Sequence, residues 1–270
     1  EAWAAAAMLG DGAVIRLESA WLLKDRLNLS RGSLTVDLNG YPVIRSMKKT
    51  VENGEVMTVQ SGATLNIIDS GSSRRTCSAF LGGSLQGGRS TSGGGILHVS
   101  GTLNMKGGTI FNGGTTDVGG GIHCDGGTVV LDGTLISDCW SNQARIYDNN
   151  AGGIAVRNNG KVTLENCPIR NCHANEKGGA IHQNSDNAEL TLINTKINAC
   201  TASDDEGGAI YIDGGTVTMK DCSLRNNRCL SDDGGAIYQY NGTLFCENVW
   251  FENNQAEDYV GAVCVATEDP

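Results

Sequence analysis

The chain has 270 residues, including 38 glycines but only 3 prolines, and aromatic side chains occupy 5% of its positions. Glycine at roughly twice its usual frequency predicts many tight turns between short strands, and the lack of a strict glycine-every-third pattern excludes collagen. The net charge of −10 argues against nucleic-acid binding, and no apolar run approaches the roughly 20 residues of a transmembrane helix.

The first eleven residues predict a cap. Residues 1–9 are rich in strong helix formers, and Gly10 ends the run. We expect a short helix within residues 1–11 that covers the first coil, because a repeat domain exposes its core at each end. The chain begins at Glu1 without an initiator methionine or a signal-peptide pattern, so we expect it to be a segment of a longer surface protein.

Residues 12–70 contain short apolar segments that predict the first, irregular coils. Residues 71–93 include Arg74, Arg75 and several glycines and serines, break the period and predict a loop insertion. A second bulge is expected at residues 142–150. Insertions on repeat scaffolds often carry binding, although a solvated loop is the simpler interpretation of each.

Residues 94–265 repeat a Gly-Gly-Ile or Gly-Gly-Ala-Ile motif. Its copies are spaced by 26, 32, 27, 29, 27 and 26 residues, counted at Gly95, Gly121, Gly153, Ala180, Ala209, Ala236 and Ala262. Each copy contains three short alternating segments, such as 209–212, 216–219 and 223–226, separated by glycine, asparagine and aspartate turns. The repeat predicts an all-β fold: a right-handed, single-stranded parallel β-helix with three short strands per coil of 26–29 residues.

Equivalent residues of neighbouring coils should stack about 4.8 Å apart, with like on like. The first predicted inward column is Ile122, Ile154, Ile181, Ile210, Ile237 and Val263. The second is Leu131, Leu164, Leu192 and Met219, and the third is Ile136, Ile169, Ile197, Leu224 and Phe251. Together they predict one thin, continuous core.

Two sets of motifs resemble known surface proteins. The Gly-Gly-Ala-Ile copies and the run from Phe251 to Asn254 resemble the GGA(I/L/V) and FxxN repeats of polymorphic outer-membrane autotransporters. Residues 34–41 and 56–65 are more similar to β-helix regions of large surface proteins from Gram-positive and gut bacteria and of archaeal adhesin-like proteins. The resemblance covers residues 12–265. Only Phe251 is a phenylalanine in the FxxN position, which favours the second group.

The resemblance implies an extracellular, cell-surface module that adheres to a ligand or serves as a display scaffold. The outward neighbours of the first column are candidates for binding a glycan or a host or neighbouring surface protein: Leu97, His123, Ala155, His182, Tyr211, Tyr238 and Cys264. Of these, His123, His182, Tyr211 and Tyr238 offer stacking faces and polar tips. Aromatic residues also favour strands for structural reasons alone, so a passive stalk and a trimeric, phage tailspike-like fibre remain alternatives.

We expect no catalytic residues and no cofactor. Acidic residues recur in one turn, at 204–206 and at 232–233, and they are candidates for acid–base chemistry or a weak Ca²⁺ site. The Asn-Thr-Asp, Gly-His-Gly and Arg-Ile-Lys motifs of polygalacturonases are missing, and Lys177 is the one base in that turn column. A polysaccharide lyase or hydrolase is therefore the alternative to a binding module.

The 10 cysteines predict core thiols rather than disulfides. Cys139, Cys172 and Cys200 occupy one column, and Cys167 and Cys222 share another. Side chains stacked in register stand parallel about 4.8 Å apart, whereas a disulfide needs converging Cβ atoms about 3.8 Å apart. No cysteine or histidine pair has the sequence spacing of a zinc site, so no metal site is expected.

Overall fold

The structure, a computed structural model, describes residues 2–9, 12–74, 79–142 and 151–266. The described residues form one helix, α1 (Ala2–Leu9), and 31 short strands. Strands close in sequence do not form hairpins. Each strand pairs in parallel with its counterparts on the preceding and following coils, so the chain winds as a parallel β-helix.

Sheet 1 consists of two ladders that lie side by side. The first ladder contains β3 (Leu27–Leu29), β6 (Met57–Val59), β10 (Leu97–Val99), β14 (Ile122–Asp125), β18 (Ile154–Arg157), β22 (Ile181–Asn184) and β31 (Val263–Val265). The second contains β1 (Ala13–Arg16), β4 (Gly32–Asp37), β7 (Ala63–Ile68), β11 (Thr102–Lys106), β15 (Thr128–Asp132), β19 (Lys161–Glu165) and β23 (Glu189–Ile193). The long strands β26 (Ile210–Lys220) and β29 (Ile237–Glu247) run through both ladders and join them.

Sheets 2 and 3 form the other sides of the coil. Sheet 2 contains β2 (Trp21–Leu22), β5 (Pro42–Ile44), β8 (Ser84–Gln86), β12 (Thr109–Phe111), β16 (Leu135–Ser137), β20 (Pro168–Arg170), β24 (Lys196–Asn198), β27 (Ser223–Arg225) and β30 (Trp250–Glu252). Sheet 3 contains β9 (Arg89–Ser90), β13 (Gly114–Thr115), β17 (Trp140–Ser141), β21 (His173–Ala174), β25 (Thr201–Ala202) and β28 (Arg228–Cys229).

The three predicted columns are confirmed. Ile122, Ile154, Ile181, Ile210 and Ile237 pair in one register and are fully buried, and Val263 follows them at the last coil, half-buried. The second column pairs Leu131 through Met219, and the third pairs Ile136 through Phe251. These columns form a single apolar core that runs the length of the described coils.

The corners between strands depend on asparagine and aspartate residues with positive φ, a conformation that these short polar side chains tolerate. Two columns of them follow the second ladder and sheet 2, respectively: Asn166, Asn194, Asp221 and Asn248, and Asn112, Asp138, Asn171, Asn226 and Asn253. The amides also bond along the column, as where Asn194 Nδ2 donates to Asn166 Oδ1 at 2.7 Å. The same corner therefore recurs coil after coil.

Three details of the sequence interpretation need correction. Leu97, not Ile96, pairs with Ile122, so the first motif copy is shifted by one residue. The predicted insertion at 71–93 contains β8 and β9, because neighbouring coils supply backbone partners to a stretch whose composition suggests a loop. The two-residue strands of sheet 3 are too short to leave a periodic pattern, and the prediction missed them. Of the bulge expected at 142–150, only residue 142 lies within the described residues. Arg75 also lies outside them.

The N-terminal helix caps the coil, as predicted. The side chains of Trp3 and Ala6 are buried, and Trp3 Nε1 donates to the backbone oxygen of Asn28 at 3.0 Å. The Trp3 ring also contacts Trp21, with centroids 6.5 Å apart. At the other end, Phe245 and Trp250 on the last full coil are exposed by 59% and 63%.

Replacing Ile181 by alanine should lower the free energy of unfolding by about 2–5 kcal/mol, because the substitution leaves a cavity in a fully buried column. Thr191→Ala, on the half-exposed outer side of β23, is the control and should change it by less than about 0.5 kcal/mol. Guanidinium unfolding followed by circular dichroism measures both. Equal losses would contradict the assignment of inward and outward faces.

Candidate functional site

The predicted binding residues lie in one column on the outer side of the first ladder. In register, this aromatic column contains His98, His123, Ala155, His182, Tyr211, Tyr238 and Cys264. His98 replaces the expected Leu97, which points into the core. Neighbouring rings contact each other: His182 meets Tyr211 edge-on at 5.0 Å, and Tyr211 stacks on Tyr238 at 5.5 Å with planes 5° apart.

The aromatic column is not the open surface that the prediction assumed. His123, His182 and Tyr211 are only 7%, 2% and 3% exposed, and Tyr238 is half-buried. The exposure expected for the first three is therefore wrong. Strand alternation does place these side chains outside the main core, but alternation alone does not reveal what packs over them.

The turns that precede each Gly-Gly motif fold back over the column. Val118 and Ala151, both in such turns, form a small second core with Ala155. Gly178 and Gly234 have φ values of +64° and +71°, and a Cβ on them would lie 3.2 Å from His182 Cβ and 2.9 Å from Tyr238 Cβ, respectively. Glycine at this point of the motif is thus required both by the backbone angle and by the close approach of the column.

A charged cluster lies over the Tyr211 end of the column; it consists of Lys177, Asp205, Glu206, Tyr211 and Asp232. The Lys177 ammonium is 3.2 Å from Tyr211 Oη and 4.5 Å from the centre of its ring. It is also 3.4 Å from Asp205 Oδ2 and 3.7 Å from Glu206 Oε2. Oxygen atoms of Asp205, Glu206 and Asp232 all lie within 4.8 Å of one another.

Crowding of the carboxylates changes their protonation. Burial raises the pKa of Glu206 to about 8, and Asp205 beside it adds to the effect while Lys177 opposes it. Glu206 is therefore mostly protonated at neutral pH, and we assign the ion pair of Lys177 to Asp205, the nearer of the two carboxylates. Since the ammonium already contacts this group of acids, a Ca²⁺ ion bound there would have to displace it.

The family follows from the sequence. A protein-family model described as a right-handed beta helix region matches residues 92–258, more than half of the chain. The chain belongs to the right-handed β-helix family. Membership establishes the winding and its handedness, and because the family includes both polysaccharide-cleaving enzymes and proteins without activity, it does not establish a reaction. No curated protein shows a significant match to the sequence.

In the charged cluster of this right-handed β-helix, Lys177 is a poor proton acceptor. Burial lowers the pKa of Lys177, but Tyr211, Asp205 and Glu206 together raise it above its ordinary range. Lys177 is therefore a stable cation, whereas a general base must be unprotonated. Among the described residues, no helix is long and apolar enough to span a membrane.

Nine of the ten cysteines lie within the described residues, and all nine are unpaired thiols; Cys77 lies outside that range. Seven of the nine are buried. Burial raises the pKa of Cys124 to about 12 and that of Cys167 to about 11. Cys139 and Cys172 are neighbours in the core column, and each thiol donates to a backbone oxygen of its own coil at 3.5 Å.

The pKa of Glu206 is about 8 in the folded protein and 4.5 in the unfolded chain. Between pH 4.5 and pH 8 the folded form therefore binds more protons than the unfolded form. The resulting stability is complete below pH 4.5 and is lost as the pH rises through 8. Thermal denaturation at pH 5 and pH 8.5 should show a loss in the wild type that Glu206→Gln reduces. Glu257→Gln, in an exposed loop, should leave the loss unchanged, and an equal loss in all three proteins would contradict the assignment.

Alkylation of the native protein should label Cys246 and Cys264, which are exposed and half-exposed, at least about tenfold faster than Cys139, Cys172 and Cys200. Peptide mass mapping gives the rate at each site. In denaturant without reductant, all ten cysteines should be labelled. A cysteine that resists labelling until a reductant is added would indicate a disulfide and contradict the thiol prediction.

Proposed function

We propose that this right-handed β-helix is an adhesin-like module of a cell surface that binds an uncharged glycan at the Tyr238 end of its aromatic column. The observation that carries the proposal is the stack of Tyr211 and Tyr238 beneath the charged cluster. Tyr211 is buried, so its ring holds the half-exposed Tyr238 ring in a fixed orientation. A rigid aromatic face with hydrogen-bonding groups at its rim suits the apolar face and hydroxyl edge of a sugar.

The surroundings of Tyr238 supply those rim groups. Burial raises the pKa of Tyr238 to about 12, and nearby Glu206, Asp232 and Asp233 add to the effect. Carboxylate oxygens, such as those of Asp232 and Asp233, accept hydrogen bonds from sugar hydroxyls. The same acids, together with the net charge of −10, repel uronic acids and sulfated sugars. The preferred ligand is therefore an uncharged polysaccharide.

The surface location is supported by the resemblance of residues 12–265 to adhesin-like proteins and by the extended, acidic coil. In this setting the domain is one segment of a longer extracellular protein, and the coil also separates whatever lies at its two ends. A host or neighbouring protein as the ligand, a purely structural stalk, a polysaccharide-degrading enzyme and a tailspike-like trimer are the competing functions. The experiment below separates glycan binding, enzymatic activity and a trimer from the remaining two functions, a protein ligand and a stalk.

Affinity electrophoresis through gels that contain an uncharged or an acidic polysaccharide tests the proposal. We expect retardation by an uncharged glycan, and Tyr238→Ala should weaken it by about tenfold, the loss of roughly 1.4 kcal/mol. Tyr238→Phe keeps the stacked ring and should retain most of the binding. Tyr240→Ala, an exposed tyrosine on the same coil, is the matched control and should migrate like the wild type.

Free migration through every gel would contradict glycan binding and favour a protein ligand or a stalk. A cleared zone around the band would show that the domain is an enzyme. Retardation by acidic polysaccharides alone would contradict the charge argument. Light scattering of the same sample separates a monomer from a tailspike-like trimer.

A further inference from the structure

Two histidines meet at the other end of the aromatic column. His98 and His123 occupy adjacent positions on β10 and β14, with ring centroids 4.8 Å apart. They are 25 residues apart in sequence, so neither sequence spacing nor the misassigned Leu97 indicates the pair. The coil alone brings them together.

The Nδ1 atoms of both rings lie close to Gly93. A Cβ placed on Gly93 would lie 2.7 Å from His98 Nδ1 and 3.2 Å from His123 Nδ1. Gly93 has a φ of +105°, which side chains rarely adopt, so residue 93 places no side chain beside the two Nδ1 atoms. Both Nδ1 atoms carry a lone pair when the rings hold their protons on Nε2.

His123 has no hydrogen-bond partner for either ring nitrogen among the described residues, although it is only 7% exposed. Burial lowers its pKa to about 3, and His98 adds to the effect, so the ring is uncharged at physiological pH. Leaving a buried polar atom unpaired destabilises the folded state. A neutral imidazole with an unused lone pair is the form in which histidine binds metals.

The neighbours of the pair also suit a cation. His98 Nε2 lies 3.4 Å from Asp125 Oδ2, an arrangement that orients the ring and leaves its Nδ1 free as a ligand. Asp117 Oδ2 accepts a hydrogen bond from the Gly93 amide at 3.0 Å, so a second carboxylate lies beside Gly93. Arg157 and Arg26 are opposing charges, but Arg157 interacts with both aspartates and Arg26 pairs with Glu55. An open hollow of about 220 Å³, lined by His98, Thr58 and Arg26, connects His98 to solvent.

We propose that His98 and His123 bind one divalent transition-metal ion, of the class of Zn²⁺, Ni²⁺ and Cu²⁺, through their Nδ1 atoms. Imidazole nitrogens select these metals over Ca²⁺ and Mg²⁺, which prefer oxygen ligands. The protein supplies two ligands as the rings stand, and water or a shifted Asp117 completes the coordination. The site is separate from the charged cluster and does not depend on glycan binding.

Calorimetric titration of Zn²⁺ and Ni²⁺ into the metal-free protein tests the site. Cys246→Ser and Cys264→Ser form the background, so that accessible thiols do not contribute. We expect one site per chain, and His98→Ala and His123→Ala should each weaken binding by at least about tenfold. Asp125→Asn should weaken it by about tenfold, because the His98 ring loses its orienting carboxylate.

His173→Ala is the matched control, because His173 is an exposed histidine of sheet 3 that is outside the aromatic column. It should bind as the background does. Circular dichroism melting without metal checks that each variant folds, and added Zn²⁺ should raise the melting temperature only where both histidines of the pair remain. Absence of binding, equal binding by all the histidine variants, or loss of binding in Asp232→Asn instead would each overturn the proposal.

Discussion

The hydrogen bonds between successive coils hold each residue about 4.8 Å from its counterpart, and nearly every other feature of the molecule depends on this spacing. A side chain that fits at one level must be compatible with the side chains directly above and below it. Apolar residues therefore form columns, as Ile122 and its counterparts do, and small thiols such as Cys139 and Cys172 stack without forming a bond. The asparagine corners follow the same rule, since each amide can bond to the next one along.

The same spacing creates the aromatic column on the outer side of sheet 1. The turns before each Gly-Gly motif cover these rings. The rings therefore contact each other and the covering turns instead of water. Burial then determines the chemistry at both ends. At one end it keeps a proton on Glu206 beside Lys177, and at the other it removes the proton from His123. An ordinary exposed strand surface would produce neither effect.

The sequence predicts the winding, the three apolar columns and the N-terminal cap, because these rest on long periodic patterns and strong local preferences. It misplaces Leu97 because the first copy has Ile96 at the position that alanine takes in the later copies. It also misses β8 and β9, which lie in a stretch rich in glycine and serine and form strands only because a neighbouring coil supplies hydrogen-bond partners. Local composition does not contain that information.

Of the candidate site, the sequence identifies His123, His182, Tyr211 and Tyr238 as members of one column, and it also identifies the acidic turn. It does not reveal that turns bury three of these four residues, because the side of a strand that faces away from the core is not always free. Nor does it place Lys177 against Tyr211, since this contact depends on how the turn of one coil leans over the strand of the next. The pairing of His98 with His123 depends on the register of β10 against β14.

The aromatic column also fixes the distance between residues along the surface. Three coils separate His123 from Tyr211, so these two residues stand about 14 Å apart on one side of the rod. That distance is set by a whole number of coils and not by the reach of flexible loops. Gain or loss of one coil would change it in steps of about 4.8 Å while leaving the line and the facing direction unchanged. The number of coils alone therefore sets the distance between two residues of this column.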